Sequence, residues 1–147
     1  MNKYNEKQLE IVNNFRRKQL ENFETYQKAR KVHLDAMNDE AREFTSKKNS
    51  YAIQLQAVLN NRAELRRKGL RNFSVEMQNS FAEETAIHEK QRDNRRAFFD
   101  SRAAHKRLIG ELHDAYCGTG AFLSNLMQEQ LKKLDKELQE EKERRKT

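Results

Sequence analysis

Apolar residues recur at helical intervals along most of this chain. From Val12 they step by eleven, with Val12, Phe23 and Leu34 in one series and Phe15, Tyr26 and Met37 in a second, three residues on. Eleven residues in three turns is about 3.67 per turn, so this stretch should run nearly straight, or with a slight right-handed twist, against its partner. From Leu34 the intervals alternate between three and four, through Met37, Ala41, Phe44, Lys48, Tyr51, Leu55, Val58, Arg62 and Leu65. That is a heptad seam, which favours left-handed winding. The aromatics on it, with Lys48 and Arg62, point to irregular packing into a larger assembly rather than to a regular two-stranded zipper.

The stripe continues through Leu70, Phe73, Met77 and Phe81 and then fades, because residues 82–107 offer only Ile87, Phe98 and Phe99 as large apolar groups. Carried onward, the seam falls on Glu84, His88, Gln91, Arg95, Phe98, Arg102 and His105, and a helix there is either a solvated strut or one that lies on a polar partner. The stripe returns at Leu108, Ile109, Leu112 and Tyr116. Cys117-Gly118-Thr119-Gly120 is then the strongest break, with Gly118 suited to cap one helix and Thr119 to start the next. The last helix, from about Ala121, carries Leu123, Met127, Leu131, Leu134 and Leu138 on one face. Residues 1–117 are thus expected as a long helical stretch, 118–120 as a turn and 121–147 as a C-terminal amphipathic helix with a charged end. Gly69 and Asn60-Asn61 are further places for a kink or turn, and the spacing alone leaves both a rod and a folded hairpin open.

Composition removes the competing fold classes. The chain has 147 residues, of which 35% are apolar and 36% charged, with four glycines and no proline or tryptophan. Sandwiches, barrels and doubly wound sheets place Gly and Pro in their connections, so an all-α, elongated architecture with coiled-coil-like packing remains. Low hydrophobicity and a net charge of +7 also suit a disordered chain. The absence of proline and the eight Phe and four Tyr at helical spacing argue instead for helices that become stable when something packs on their stripe. No segment approaches the roughly 20 apolar residues of a membrane span. The first residues lack the apolar core of a signal peptide, and Cys117 has no partner for an intrachain disulfide. These features suggest an intracellular, non-secreted protein.

The positive charge is concentrated in two places. Residues 62–71 carry +4 and residues 90–107 carry +5, whereas the intervening 72–89 carry −4. The blocks Arg66, Arg67, Lys68 and Arg71, and Arg92, Arg95, Arg96, Arg102, Lys106 and Arg107, are candidate contacts to an anionic partner, since arginine forks suit phosphate and carboxylate. Phe98 and Phe99 among them suit stacking on bases. The plainer reading is a solvated helix face kept soluble by charge. Of the four histidines, only His113 pairs at i,i+4 with Cys117, which is half a zinc site at most. Neighbouring acidic pairs diverge on a helix, and Ser80 with Glu83 is a possible capping box. No catalytic, metal or cofactor site is expected, and an enzyme is not.

Residues 102–134, RAAHKRLIGELHDAYCGTGAFLSNLMQEQLKKL, resemble in layout the C-terminal part of internal virion proteins of short-tailed phages: a polar helix reaching Gly110-Glu111, a short small-residue turn at Cys117–Gly120, and a helix with Leu123, Leu126 and Met127. The first helix is far more charged than in that family. The resemblance implies a virion component and a location in the virion. The functional expectation is a structural or assembly component that packs its helices into a large multi-subunit complex, in multiple copies. Its packing residues would be Val12, Phe15, Phe23, Tyr26, Leu34, Met37, Phe44, Tyr51, Leu55, Val58, Leu123, Met127, Leu131 and Leu134. A nucleic-acid-binding helical module using the arginine blocks, and a component of a cytoskeletal filament or secretion machine, are the alternatives.

Overall fold

A computed structural model describes residues 3–146 as an all-α helical hairpin of two helices, α1 (Lys3–Arg67, 65 residues) and α2 (Val75–Lys146, 72 residues), with no strand among the described residues. Internal contacts divide the chain into two units, one joining the chain up to His33 with the chain from Arg107, the other formed by Leu34–Lys106.

The second unit contains the turn. Gly69 adopts φ +85°, a region open to glycine at little cost, and it closes α1 with a paired capping pattern. The Gly69 amide donates to the Arg66 carbonyl at 3.0 Å, and the Leu70 amide donates back to Leu65 at 3.1 Å. Two carbonyls that the helix end leaves without amide partners are thereby satisfied. Ser74 caps α2: its hydroxyl accepts from the Met77 amide at 3.3 Å and its carbonyl from Gln78 at 3.0 Å. The connection is therefore at residues 68–74, as the Gly69 signal allowed.

The turn expected at 118–120 does not exist. Residues Cys117–Gly120 are continuous helix within α2, and the expected division into segments ending at 117 and beginning at 121 is replaced by a division at 68–74. Of these glycines, Gly118 would bring a side chain near nothing within 4 Å, and Gly120 lies beside Gln19. A Cβ at position 120 would meet the Gln19 carboxamide at 3.6 Å, an ordinary van der Waals contact, and Gln19 donates from Nε2 to the Gly120 carbonyl at 3.3 Å. The Ser80–Glu83 capping box is likewise absent, because Ser80 lies inside α2 and is buried.

Packing in the second unit follows three-and-four spacing, with one change of phase. On α1 the half-buried positions include Met37, Phe44, Tyr51, Leu55 and Val58, and Arg62 is buried. On α2 the inward positions run Met77, Ser80, Glu84, Ile87, Gln91, Asn94, Phe98, Ser101 and His105, with Met77, Ser80 and Ile87 buried. The expected continuation through His88 and Arg95 exchanged the three- and four-residue steps. Ile87 takes the inner position, and both His88 and Arg95 are exposed. Polar side chains fill much of this seam and cross it. Ser101 Oγ donates to Glu40 at 2.7 Å, His105 Nε2 lies 3.1 Å from the same carboxylate, and Asn94 donates to the Phe44 carbonyl at 3.4 Å. The polar partner of residues 82–107 is α1 itself.

In the first unit the eleven-residue spacing persists. Phe15 and Tyr26 turn inward, with the Tyr26 ring stacked on Tyr116 at 4.9 Å and edge-on to His113 at 6.1 Å. Leu123 and Leu134 are buried, and Met127 and Leu131 are half-buried. Asn22 donates to the Tyr116 carbonyl at 3.1 Å, and Tyr4 bonds Glu141 across the pair.

Candidate functional site

The two eleven-residue series have different fates. Phe15 and Tyr26 build the seam, whereas Val12 and Phe23 sit on its flank beside two residues that the spacing analysis missed, Leu9 and Leu20. Leu9 and Leu20 are each 57% exposed, Phe23 is 43% exposed and Val12 is half-buried. These four positions are separated by three, eight and three residues, so they recur on one face at the same 3.67 period. The eleven-residue step from Leu9 to Leu20 was the signal that would have found them. Phe23 still touches the hairpin, edge-on to Tyr116 at 6.2 Å. Of the other expected packing residues, Leu34, Met37, Phe44, Tyr51, Leu55, Val58, Met127 and Leu131 are half-buried within the hairpin, and Leu123 and Leu134 are buried. Those side chains are covered within the chain's own helix pair.

The basic blocks also separate. Arg66, Arg67, Lys68 and Arg71 are exposed at the end of α1, where cations complement the partial negative charge of unpaired carbonyls, and Arg67 pairs with Glu64 at 3.1 Å. Arg92, Arg95 and Arg96 on α2 are exposed and make no ion pair with a described residue, and Arg102 is half-buried with its guanidinium 5.7 Å from the Phe98 ring. Lys106 is exposed beside them, and Arg107, exposed too, belongs to the other unit. Phe98 and Phe99 divide in the same way. Phe98 stacks on Phe44 with centroids 4.4 Å apart and planes 15° from parallel, so its faces are occupied, whereas Phe99 is 57% exposed.

Around Phe99 the hairpin forms a groove of about 390 Å³, lined by Phe44, Lys48, Gln91, Asn94, Arg95 and Phe99. Lys48, which the spacing placed on the seam, is exposed and contributes a cation from α1. A second groove, of about 210 Å³, opens on the other side of the Phe44–Phe98 stack, and its lining includes Glu40, Glu43 and Lys47. There Glu40 is held below the usual carboxylate range, chiefly by the Ser101 hydroxyl and then by His105, and Lys47 is raised by its bond to Glu43.

Cys117 and His113 are exposed, with Sγ 3.7 Å from Nε2, a weak thiol–imidazole contact. Among the described residues no three His, Cys, Asp or Glu side chains gather as metal ligands, and no helix is long and apolar enough to cross a membrane. No protein-family model, curated protein or solved structure matches the chain.

Proposed function

We propose that the chain is a non-enzymatic assembly component that packs in multiple copies, using the flank Leu9–Val12–Leu20–Phe23 as its contact with neighbouring subunits. The observation that carries this reading is the second apolar series. One helix pair needs one stripe, and α1 carries another at the same period that its own partner covers only in part. Large exposed apolar side chains grouped on one face mark interaction surfaces. The internal core is small, with Met77 and Ile87 the buried apolar residues of one unit and Leu123 and Leu134 those of the other, so packing from outside adds stability that the hairpin lacks. A virion is the first assembly to examine, on the resemblance of residues 102–134 to internal virion proteins.

Sedimentation equilibrium of the purified chain tests the proposal. The expected result is a mass above that of the monomer at micromolar concentration, reduced to the monomer by Leu9→Ser, Leu20→Ser and Phe23→Ser together, with helical content by circular dichroism unchanged. A wild-type chain that stays monomeric up to high concentration would overturn it.

A further inference from the structure

We infer that the groove between Lys48 and Phe99 binds single-stranded nucleic acid, with one unpaired base against the Phe99 ring and its flanking phosphates at Lys48 and Arg95.

The charge on this side of the second unit is one-signed. No carboxylate lines the groove, although acidic residues are abundant elsewhere in the chain. The positions of α1 within two turns to either side of Lys48 on the same flank are Ala41, Thr45, Ala52 and Gln56, none of them charged. The matching flank of α2 runs Gln91, Arg95, Phe99, Arg102 and Lys106. In contrast, the groove on the opposite side carries Glu40 and Glu43, the latter bonded to Lys47 at 3.0 Å. A hairpin kept soluble by charge alone has no need to sort its carboxylates onto one side. A phosphate backbone requires that sorting, because each uncompensated carboxylate in the track repels it.

The remaining lining supplies what a base needs. Phe99 presents an aromatic face on which no ring of a described residue stacks, its ring contact being edge-on to Phe98 at 5.4 Å and 61°. Stacking on such a ring tolerates any base. Asn94 donates one amide hydrogen to the Phe44 carbonyl at 3.4 Å, and the Gln91 carbonyl lies 3.1 Å from His88 Nδ1. The Asn94 oxygen and the Gln91 amide hydrogens remain as acceptor and donors for a base edge. A volume of about 390 Å³ is within the range of small-ligand clefts. A duplex is a poorer fit, since its bases are stacked on one another and leave an exposed phenyl ring without a partner.

Fluorescence anisotropy with labelled oligothymidylate, and with the same strand in a duplex, tests this on the full chain. The expected outcome is preference for the single strand, with log affinity falling against log salt at a slope near −0.7 per phosphate contacted, or about −1.4 for the Lys48 and Arg95 pair. Phe99→Ala should weaken binding about 10- to 100-fold without changing the slope, and Lys48→Gln with Arg95→Gln should flatten the slope. All three side chains are exposed, so these variants should retain the wild-type circular dichroism. No binding, equal binding by Phe99→Ala, a preference for the duplex, or displacement of the oligonucleotide by polyglutamate at equal charge concentration would each overturn the proposal; the last would point to an acidic protein.

Discussion

The guanidinium of Arg62 lies 4.3 Å from the centroid of the Phe81 ring and bonds three groups of α2 at once. Its Nε donates to the Ser80 hydroxyl at 3.2 Å, and Nη2 donates to the Ser80 carbonyl at 3.4 Å and pairs with Glu84. Arg62 is 7% exposed and Ser80 2% exposed, so the group has left water and depends on these partners. Heptad spacing placed Arg62, like Lys48, on a mostly apolar seam. The residue joins the helices next to the turn, with the stem of the arginine packed and its charge compensated.

Arg62→Met keeps the volume but leaves Glu84 and the Ser80 carbonyl without their donor. The expected loss is about 1–3 kcal/mol, below the range for a fully buried pair because the Glu84 side chain is 27% exposed. Arg62→Lys should also destabilise, since an ammonium cannot reproduce the fork or lie on the ring. Adding Glu84→Met to Arg62→Met should recover much of the loss. Urea unfolding followed by circular dichroism reads all three, and an Arg62→Met chain as stable as wild type would refute the account of this cluster.

Two glycine substitutions should act with opposite signs. At Gly69 a side chain meets nothing within 4 Å, so Gly69→Ala costs only the strain of positive φ, about 1–2 kcal/mol. Gly118 is helical and equally open, and Gly118→Ala should stabilise by roughly 0.5–1 kcal/mol because alanine is the better helix former. Thermal melts of the two variants discriminate between a turn at 68–74 and one at 118–120, for which the order would reverse.

Which parts of this arrangement were legible follows from the range of the forces that set them. Phe15, Tyr26 and Met37, or Leu123 and Leu134, announce a helix face because their interval repeats, and that signal is local. Gly118 and Gly120 announced a break by the same local logic. Each costs about 1 kcal/mol in a helix, but packing on either side of them overrides that cost. The cap that forms does have a local signature, Gly69 followed by Ser74, which was less prominent than two glycines in a row of small residues. The polar seam of α2 had no hydropathy signal at all. Ser80, Asn94 and Ser101 turn inward because Arg62, the Phe44 carbonyl and Glu40 await them on the other helix. Residues so far apart in the chain cannot be paired from spacing. For the same reason the basic stretch was visible while its groove was not, since Lys48 joins Arg95 and Phe99 only once α1 and α2 are antiparallel.

The hairpin should lose stability in acid through two carboxylates. Glu40 is held below the ordinary range first by Ser101 and then by His105, and Glu84 first by its bond to Arg62. Each therefore binds a proton less readily in the folded chain than in the unfolded chain, and acid favours unfolding. Their stabilisation is complete above the ordinary carboxylate value of about 4.3 and fades as pH falls through their lowered values. Urea midpoints measured from neutral pH to below 4 should fall for the wild type, and Glu40→Gln should reduce the slope in that window. An unchanged slope in Glu40→Gln would remove its carboxylate from the explanation.

The two series at eleven-residue spacing should separate stability from association. Tyr26→Ser removes a ring stacked at 4.9 Å on Tyr116 and edge-on to His113, and the expected cost is about 2–4 kcal/mol of folding stability. Leu20→Ser, three residues before Phe23 on the exposed flank, removes a side chain 57% open to solvent and should change monomer stability by less than about 0.5 kcal/mol. Association should respond in the reverse order once the monomer is folded. Unfolding measured at a concentration low enough to keep both variants monomeric isolates the first effect, and sedimentation at higher concentration isolates the second. If Leu20→Ser destabilised the monomer as much as Tyr26→Ser, the flank would belong to the hairpin's own packing, and its assignment to a neighbouring subunit would fail.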